Sequence, residues 1–262
     1  MQEVIEMILA VDVSNNHVAA GLMEDGALVH VSHMSSVKSR TADEYAVLMD
    51  LMARHHGVDL GGTEGCIVSS VVPELTAVLC AAAEKLTGKR AMLVGKGLKT
   101  GLNIRIDEPG ELASDFVAVA VSALERYPLP CVTVNMDTAV AIGVLDKKGS
   151  YIGGVIAPGV MASQIALSRG ASRLYSVTPK APGRVIAKNT ADSMKGGIIY
   201  GTAAMLDGLL AGIDGELGET ANVVATGEWA DEVIPHCRRP GILVDKDLAM
   251  KGLWSIYKKN ER

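Results

Sequence analysis

The chain is poor in aromatic residues and carries no excess of positive charge. Aromatic residues make up 3% of its 262 residues, with a single Phe, so aliphatic side chains must fill the interior. The formal net charge of -5 provides no basic field for a phosphate polymer. This composition disfavours nucleic-acid binding as the function.

Cysteines and long apolar runs are also scarce. The four cysteines lie far apart and form no C-x-x-C pair: Cys66, Cys80, Cys131 and Cys237. This spacing argues against a zinc site and against a disulfide framework, and it predicts reduced thiols in a cytoplasmic protein. No run approaches 18 apolar residues, so we expect no membrane-spanning segment. Glu3 and Glu6 stand where a signal peptide would be basic.

The order of the predicted elements indicates an α/β protein with a mixed sheet. Three strands joined by short turns come first, and helices and strands then alternate. The predicted strands of this part are 7–13, 17–23, a third ending near residue 34, 66–71 and 92–94, and the predicted helices are 42–56, 74–86 and 110–126. Thr41 and Glu44 have capping-box spacing at the start of the first helix.

The opening pattern recurs in the second half of the chain. The stretch CVTVNMDTAVAIGVLDKKGSYIGGVI, from Cys131, again reads as strand, turn, strand, turn, strand, and it places Asn135 where Asp12 stood. The repeat predicts two halves, 1–128 and 129–262, each with a mixed five-stranded sheet and helices. The closing helix, 247–258, is the element expected to pack back on the first half.

Four polar clusters fall at predicted strand ends or helix starts: Asp12 to Asn16, Asn135 to Thr138, Asn189 with Thr190, and Thr226 to Glu228. In a duplicated α/β fold such ends converge on one cleft, which is a suitable place for a nucleotide phosphate chain. In ILAVDVSNNHVAA, a carboxylate at a strand end is followed by a small-residue turn that could hold a metal-bound phosphate. Asp and Asn are also ordinary hairpin-turn residues, which is the alternative interpretation.

Several segments, spread over nearly the whole chain, resemble those of the type III pantothenate kinase family. They are TADEY at 41–45, SSVVP at 69–73, LKTGLNI at 98–104, IGGVIAPGV at 152–160, KNT at 188–190 and GLWSIYKKN at 252–260. That family belongs to the acetate and sugar kinase, Hsc70 and actin superfamily. The resemblance implies two ribonuclease H-like halves, the actin-like ATPase fold.

The resemblance also implies an activity, with ATP and Mg²⁺ as cofactors and pantothenate as the acceptor. The γ-phosphoryl group would pass to the primary hydroxyl of pantothenate, which is the first committed step toward coenzyme A. By position, Asp115 would accept the hydroxyl proton, and its alternative interpretation is a helix-surface aspartate. Asp12 would hold the magnesium and phosphates, Thr138 would contact the ATP phosphates, and Thr190 would contact pantothenate.

The nucleotide-facing turns depart from the family pattern. The family motif DxGNT is here Asp12, Val13, Ser14, Asn15, Asn16, and Ser14 adds a Cβ where a glycine with positive φ would be tolerated. The family motif DFGTA is here Asn135, Met136, Asp137, Thr138, Ala139, which removes a ligand for the monovalent cation, K⁺ or NH₄⁺, and adds a carboxylate. The family motif TGG is here Thr226, Gly227, Glu228. Asp137 and Glu228 are therefore expected to weaken ATP binding unless they turn away or bind additional metal.

The acceptor-side segment departs as well. The family motif GADR is here Ala113, Ser114, Asp115, Phe116, so the base is kept while the neighbouring arginine is lost. Ile106 replaces an expected tyrosine.

Three hypotheses follow from these departures. The first is a pantothenate kinase that acts as a homodimer or as a heterodimer with an intact paralogue. The second is a catalytically inactive partner subunit with a structural or regulatory role. The third is a relative that acts on another small alcohol. Binding to nucleic acid or to a membrane is expected in none of them.

Overall fold

A computed structural model describes residues 6–261 as eleven strands and seven α-helices. The strands are β1 (Met7–Val13), β2 (His17–Glu24), β3 (Ala27–Ser35), β4 (Gly65–Ser70), β5 (Ala91–Leu93), β6 (Asn103–Ile104), β7 (Cys131–Met136), β8 (Ala139–Leu145), β9 (Ser150–Pro158), β10 (Asn222–Thr226) and β11 (Ile242–Val244). The helices are α1 (Ala42–His55), α2 (Pro73–Thr87), α3 (Ser114–Arg126), α4 (Val160–Gly170), α5 (Thr190–Leu217), α6 (Ala230–Val233) and α7 (Leu248–Asn260).

The chain divides into two compact units. The first unit contains the residues up to Leu102, Asp107–Glu125 and the residues from Asp247 onwards. The second unit contains Asn103–Ile106 and Arg126–Lys246. The closing helix α7 therefore belongs to the first unit, although it follows the second in sequence.

The first unit is built on a five-stranded sheet in the order β3-β2-β1-β4-β5. Strands β1, β2 and β3 form an antiparallel meander, whereas β4 and β5 run parallel to β1. The central strand β1 is apolar on both faces, as expected for a strand covered by helices on either side. Leu9 and Val11 lie in the cluster with α1 and α2, and Ile8 and Ala10 lie in the cluster with α3 and α7.

The start of α1 confirms the predicted capping box. Thr41 Oγ1 accepts a hydrogen bond from Glu44 N at 3.3 Å, and Glu44 Oε2 accepts one from Thr41 N at 2.7 Å. These bonds satisfy two amides that the first helical turn would otherwise leave without partners.

Helix α7 lies close to α3 because Gly252 faces the α3 backbone. A Cβ on Gly252 would overlap the carbonyl oxygen of Ala118. We expect Gly252→Ala to lower the free energy of unfolding by about 1–3 kcal/mol, the usual effect of overpacking. Urea unfolding would measure it.

Gly212→Ala in α5 is the matched control, since a Cβ there would meet nothing within 4 Å. That change should stabilise the protein by about 0.4–1 kcal/mol through the unfolded chain. Equal stability of both variants would contradict the close packing of α7 on α3.

The second unit repeats the topology of the first. Its sheet has the order β11-β10-β7-β8-β9-β6, in which β9-β8-β7-β10-β11 corresponds to β3-β2-β1-β4-β5. Asp12 and Asn135 are each the last residue but one of the central strand, β1 or β7. The predicted duplication of a mixed sheet is thereby confirmed.

The prediction of five strands in this second sheet is wrong by one. Strand β6 has two residues and pairs in parallel with β9, with Asn103 opposite Ser150 and Ile104 opposite Tyr151. Its partner strand lies far along the chain, and two residues show no alternating pattern. The sequence pattern therefore gives no indication of this strand.

Helix α5 is the main helix of the second core. By length and composition alone it could cross a membrane, but a core helix of a soluble protein passes the same test. Residues of α5 such as Ile198, Leu206 and Leu210 are buried in the same cluster as Val132 and Val134 of β7. We therefore describe it as a core helix.

The four cysteines are free thiols, two of them buried and two half-buried. Burial raises the pKa of the Cys131 thiol to about 12. Burial, with a smaller contribution from the Asp207 charge, raises the pKa of Cys237 to about 11. Thiols with such pKa values are protonated near neutral pH and are weak nucleophiles.

Candidate functional site

Asp12 lies near the carboxyl end of the central strand of the first unit. It is half-buried and pairs with Ala19 of β2 on one side and with Ser69 of β4 on the other. A single half-buried carboxylate is suitable for Mg²⁺, because that ion keeps several waters and takes its other ligands from substrate phosphates. The residues present therefore fit the magnesium ion that the sequence predicts.

The turn after β1 is closed by Ser14. Its amide donates to the carbonyl oxygen of His17 at 2.9 Å, and its hydroxyl donates to the same oxygen at 3.0 Å. Among the non-glycine residues between 6 and 261, Asp25 alone has a positive φ, so Ser14 is not strained where a glycine was expected. Asn15 and Asn16 are exposed and form the tip of the turn.

Asp115 lies in the first turn of α3. Its side chain is half-buried, and Oδ1 accepts a hydrogen bond from the amide of Phe116 at 2.8 Å. Ala113 precedes the helix and accepts from the amide of Val117. The predicted start of this helix near residue 110 is wrong, because Pro109–Glu111 forms a 3₁₀ turn and Leu112 is extended.

The Ser114 hydroxyl is hydrogen-bonded within the protein and does not line a pocket. The side chain is buried, and its oxygen lies 3.1 Å from Ser69 Oγ and 3.0 Å from Ser70 N. These bonds join α3 to the end of β4, next to Asp12. Ser69 is thus a residue of the site that sequence reasoning overlooked, although it lies in the SSVVP segment.

In the second unit, three loops meet at the carboxyl end of β7 with very short backbone separations. Asp137 and Thr138 form the turn between β7 and β8. A Cβ on Gly159, which precedes α4, would lie 2.6 Å from the carbonyl oxygen of Asp137. A Cβ on Gly227 would lie 2.7 Å from Met136 N, and Gly227 has a φ of +94°. Only glycine fits these two positions, and sequence analysis did not identify Gly159 beyond its place in the IGGVIAPGV segment.

The carboxylate of Asp137 is bound within the protein. Its Oδ1 accepts a hydrogen bond from the amide of Glu228 at 2.9 Å, and the amide of Trp229 donates to the carbonyl oxygen of Met136 at 3.1 Å. The turn after β7 and the turn after β10 are therefore joined. An amide at a turn of this kind can bind a phosphate, and here a side-chain carboxylate occupies it.

Asn135 does not supply a charged ligand for a monovalent cation. It is half-buried, and a Cβ on Gly227 would lie 2.7 Å from its Oδ1, so its side chain lies against the turn at Gly227. A neutral amide in this position fits K⁺ or NH₄⁺ poorly in comparison with a carboxylate. We assign no cation here.

The remaining acceptor-side candidates of the second unit lie on different elements. Thr190 is the exposed first residue of α5, whose N-cap Asn189 accepts from the amide of Asp192 at 2.8 Å. A cavity of about 330 Å³ lies beside this helix start and is lined by Pro182, Gly183, Arg184, Ala187, Lys188, Asn189 and Asp192. Ile106 is half-buried and follows β6.

Two groups of predicted site residues are thus placed. The first unit holds Asp12, the Ser14–Asn16 turn and the start of α3, and Ser69 links β4 to that helix start. The second unit brings Asn135, Asp137, Thr138 and Gly227 together at one sheet end, whereas Thr190 lies at the start of α5. The expected convergence of all these residues on one cleft stays a prediction.

The fold is shared with solved structures of low sequence identity. Component A of (R)-2-hydroxyglutaryl-CoA dehydratase from Acidaminococcus fermentans superposes with a TM-score of 0.56 at 13% identity, over 98% of this chain and 100% of that chain. A ROK family glucokinase from Streptomyces griseus, in complex with glucose and AMPPNP, superposes with a TM-score of 0.51 at 12% identity, over 96% and 98%. The protein has the actin-like ATPase fold that its sequence predicts.

Sequence comparison defines the family within that fold. The type III pantothenate kinase profile matches residues 8–212. A type III pantothenate kinase from Halalkalibacterium halodurans is 36% identical over 254 residues, which is 97% of this chain and 100% of the relative. Another, from Myxococcus xanthus, is 37% identical over 97% of this chain and 99% of the relative. The chain belongs to the type III pantothenate kinase family, a family of phosphotransferases.

Proposed function

We propose that this chain is a cytoplasmic pantothenate kinase, which transfers the γ-phosphoryl group of ATP to the primary hydroxyl of pantothenate and yields 4'-phosphopantothenate for coenzyme A biosynthesis. The observation that carries the proposal is the linkage of Asp12 and Asp115 within a chain that is related to this family over almost its full length. Ser69 pairs with Asp12 in the sheet and bonds Ser114, the residue before Asp115.

The proposed roles follow the chemistry of phosphoryl transfer, which depends on positioning and charge neutralisation. Asp115 accepts the proton of the attacking hydroxyl. Asp12 holds Mg²⁺, which neutralises phosphate charge when bound. Thr138 and the turns at Asn15, Asn16 and Gly227 bind the ATP phosphates. The acceptor contacts are assigned to Ala113, Phe116, Ile106 and Thr190.

We propose further that the protein acts as a dimer, either with a second copy or with an intact paralogue. The loss of the expected arginine at Phe116 and of the expected aspartate at Asn135 favours the paralogue, because a second copy would lack the same charged groups. A partner with the full set of charged groups would restore one complete site per dimer. Size-exclusion chromatography with light scattering would distinguish these assemblies.

The function is tested by incubating the purified chain with Mg-ATP and pantothenate and detecting 4'-phosphopantothenate by mass spectrometry. The same assay is repeated with an intact type III pantothenate kinase chain from the same genome, where one is encoded. Product from the single chain supports the proposal. A rise over the paralogue alone on mixing, without product from the single chain, supports the partner-subunit function instead, and no product with no effect on mixing would overturn both. A panel of other small primary alcohols tests whether the acceptor has changed.

A second candidate function, that of an inactive partner subunit, is favoured by Asp137. Its carboxylate is bonded to the amide of Glu228, so an anionic group already lies on the turn that would meet phosphate. Like charges about 4 Å apart repel by about 4 kcal/mol at an effective dielectric near 20, which would weaken ATP binding by up to about a thousandfold. Isothermal titration with Mg-ATP distinguishes the two candidates, because the partner-subunit function predicts no heat of binding.

A further inference from the structure

The Ser114 hydroxyl has every hydrogen-bonding position filled. It donates to the carbonyl oxygen of Ser70 at 3.1 Å and accepts from the amide of Ser70 at 3.0 Å. The Ser69 hydroxyl lies 3.1 Å away and donates the remaining bond. Since a serine hydroxyl has one donor and two acceptor positions, no further bond is available to a ligand. The Ser114 hydroxyl therefore forms hydrogen bonds within the protein only.

Ser114 is hydrogen-bonded to the end of β4, and further hydrogen bonds hold that end of the strand in place. The Ser70 hydroxyl accepts from the amide of Val72 at 3.3 Å and from Thr76 Oγ1 at 2.9 Å. Strand β4 also pairs with β1, where Ser69 lies opposite Asp12. A group fastened to Ser69 and Ser70 is consequently fixed relative to Asp12.

Helix α3 is fastened at its other end as well. Glu125, near the last turn, accepts from Ser255 Oγ at 2.5 Å and forms an ion pair with Lys259, both on α7. Helix α7 also packs against Ala118, so the polar attachment that remains to be identified is the one at the very start of the helix. The bonds of Ser114 to β4 provide that attachment one residue before Asp115.

We propose that Ser114 is a positioning residue, which sets the start of α3 so that Asp115 lies at a fixed place relative to Asp12. The inference rests on the proposed role of Asp115 as the base. It assigns to Ser114 a role different from the acceptor contact expected from its sequence position. Ser69 is the second member of this arrangement and contributes one of the bonds.

The test is Ser114→Ala, with Ser122→Ala as the matched control. Ser122 lies on the same helix, is fully buried, and its hydroxyl has no hydrogen-bond partner among residues 6–261. We expect Ser114→Ala to lower kcat at least about tenfold, with KM for ATP and pantothenate nearly unchanged, because a base displaced by a fraction of an ångström loses its alignment. Ser69→Ala should have a smaller effect in the same direction, and Ser122→Ala should have almost none.

Two readouts separate positioning from a loss of folded protein. The rate is expressed per ATP-binding site counted by calorimetry, so unfolded molecules do not contribute. Hydrogen exchange of segment 113–118 is measured in parallel and should speed up in Ser114→Ala but not in Ser122→Ala. A rate per site equal to wild type would overturn the inference, and so would unchanged exchange. If the wild-type chain phosphorylates no acceptor, the proposed function fails, whereas the exchange result still decides whether Ser114 fastens α3.

Discussion

Asp115→Asn should lower kcat for pantothenate phosphorylation by about 10²–10⁴-fold, which is the usual contribution of a positioned general base. Asparagine keeps the size of the side chain and retains an oxygen that can accept the bond from the amide of Phe116, observed at 2.8 Å. It cannot take up the hydroxyl proton. The start of α3 should therefore stay in place, with ATP affinity and thermal stability close to wild type, while the chemical step fails.

The comparison requires a matched control in the same segment. Asp107→Asn replaces an exposed aspartate eight positions earlier in the first unit and should leave kcat unchanged. Steady-state kinetics with both substrates varied, together with calorimetric titration of Mg-ATP, provides the measurements. An Asp115→Asn variant that keeps more than about a tenth of the wild-type kcat would show that another group accepts the proton.

Features set by neighbouring residues were predictable from the sequence. Strand β1 is predicted at 7–13 and is found at Met7–Val13, since seven mostly apolar residues before a polar turn have the length typical of a buried strand. The capping box of Thr41 and Glu44 was predicted from spacing alone and is confirmed. The mixed character of both sheets and their duplication followed from the repeated strand and turn pattern.

Features set by distant residues were not predictable. Residues 110–113 are compatible with a helix by composition, yet α3 begins at Ser114, whose partners lie 44 and 45 positions earlier in the chain. Strand β6 forms because residues 103–104 pair with the edge strand β9. Single-sequence patterns contain no information about such partners, so the helix start and the sixth strand were missed.

In the candidate site, too, local features were predictable from the sequence and features that depend on distant residues were not. The equivalence of Asp12 and Asn135 was predicted from the repeat, and the two residues do occupy corresponding positions in β1 and β7. The sequence also identified Asp137 as a carboxylate in a phosphate-facing turn, but it left the direction of the side chain open. That direction depends on the amide of Glu228, 91 residues later.

The orientation of the Asp137 side chain predicts a large effect on the affinity for ATP. A carboxylate that accepts a bond from a turn amide opposes phosphate in two ways, because it repels a like charge and occupies a donor. Both effects act on ATP in the ground state, so they should appear in the dissociation constant. If ATP approaches this turn, removal of the charge should strengthen binding at least tenfold, or about 1.4 kcal/mol.

Two substitutions at this position separate the two effects. Asp137→Asn removes the charge and keeps an oxygen for the amide of Glu228, whereas Asp137→Gly removes both and frees that amide. If repulsion dominates, Asp137→Asn should give most of the gain in Mg-ATP affinity that Asp137→Gly gives, as measured by isothermal titration. Asp146→Asn, just beyond the other end of β8, where Asp146 Oδ1 accepts from the amides of Lys148 and Ser150, is the matched control and should leave affinity unchanged. Unaltered affinity in both Asp137 variants would mean that this turn does not meet the phosphates, and it would remove the strongest reason to regard the chain as an inactive partner.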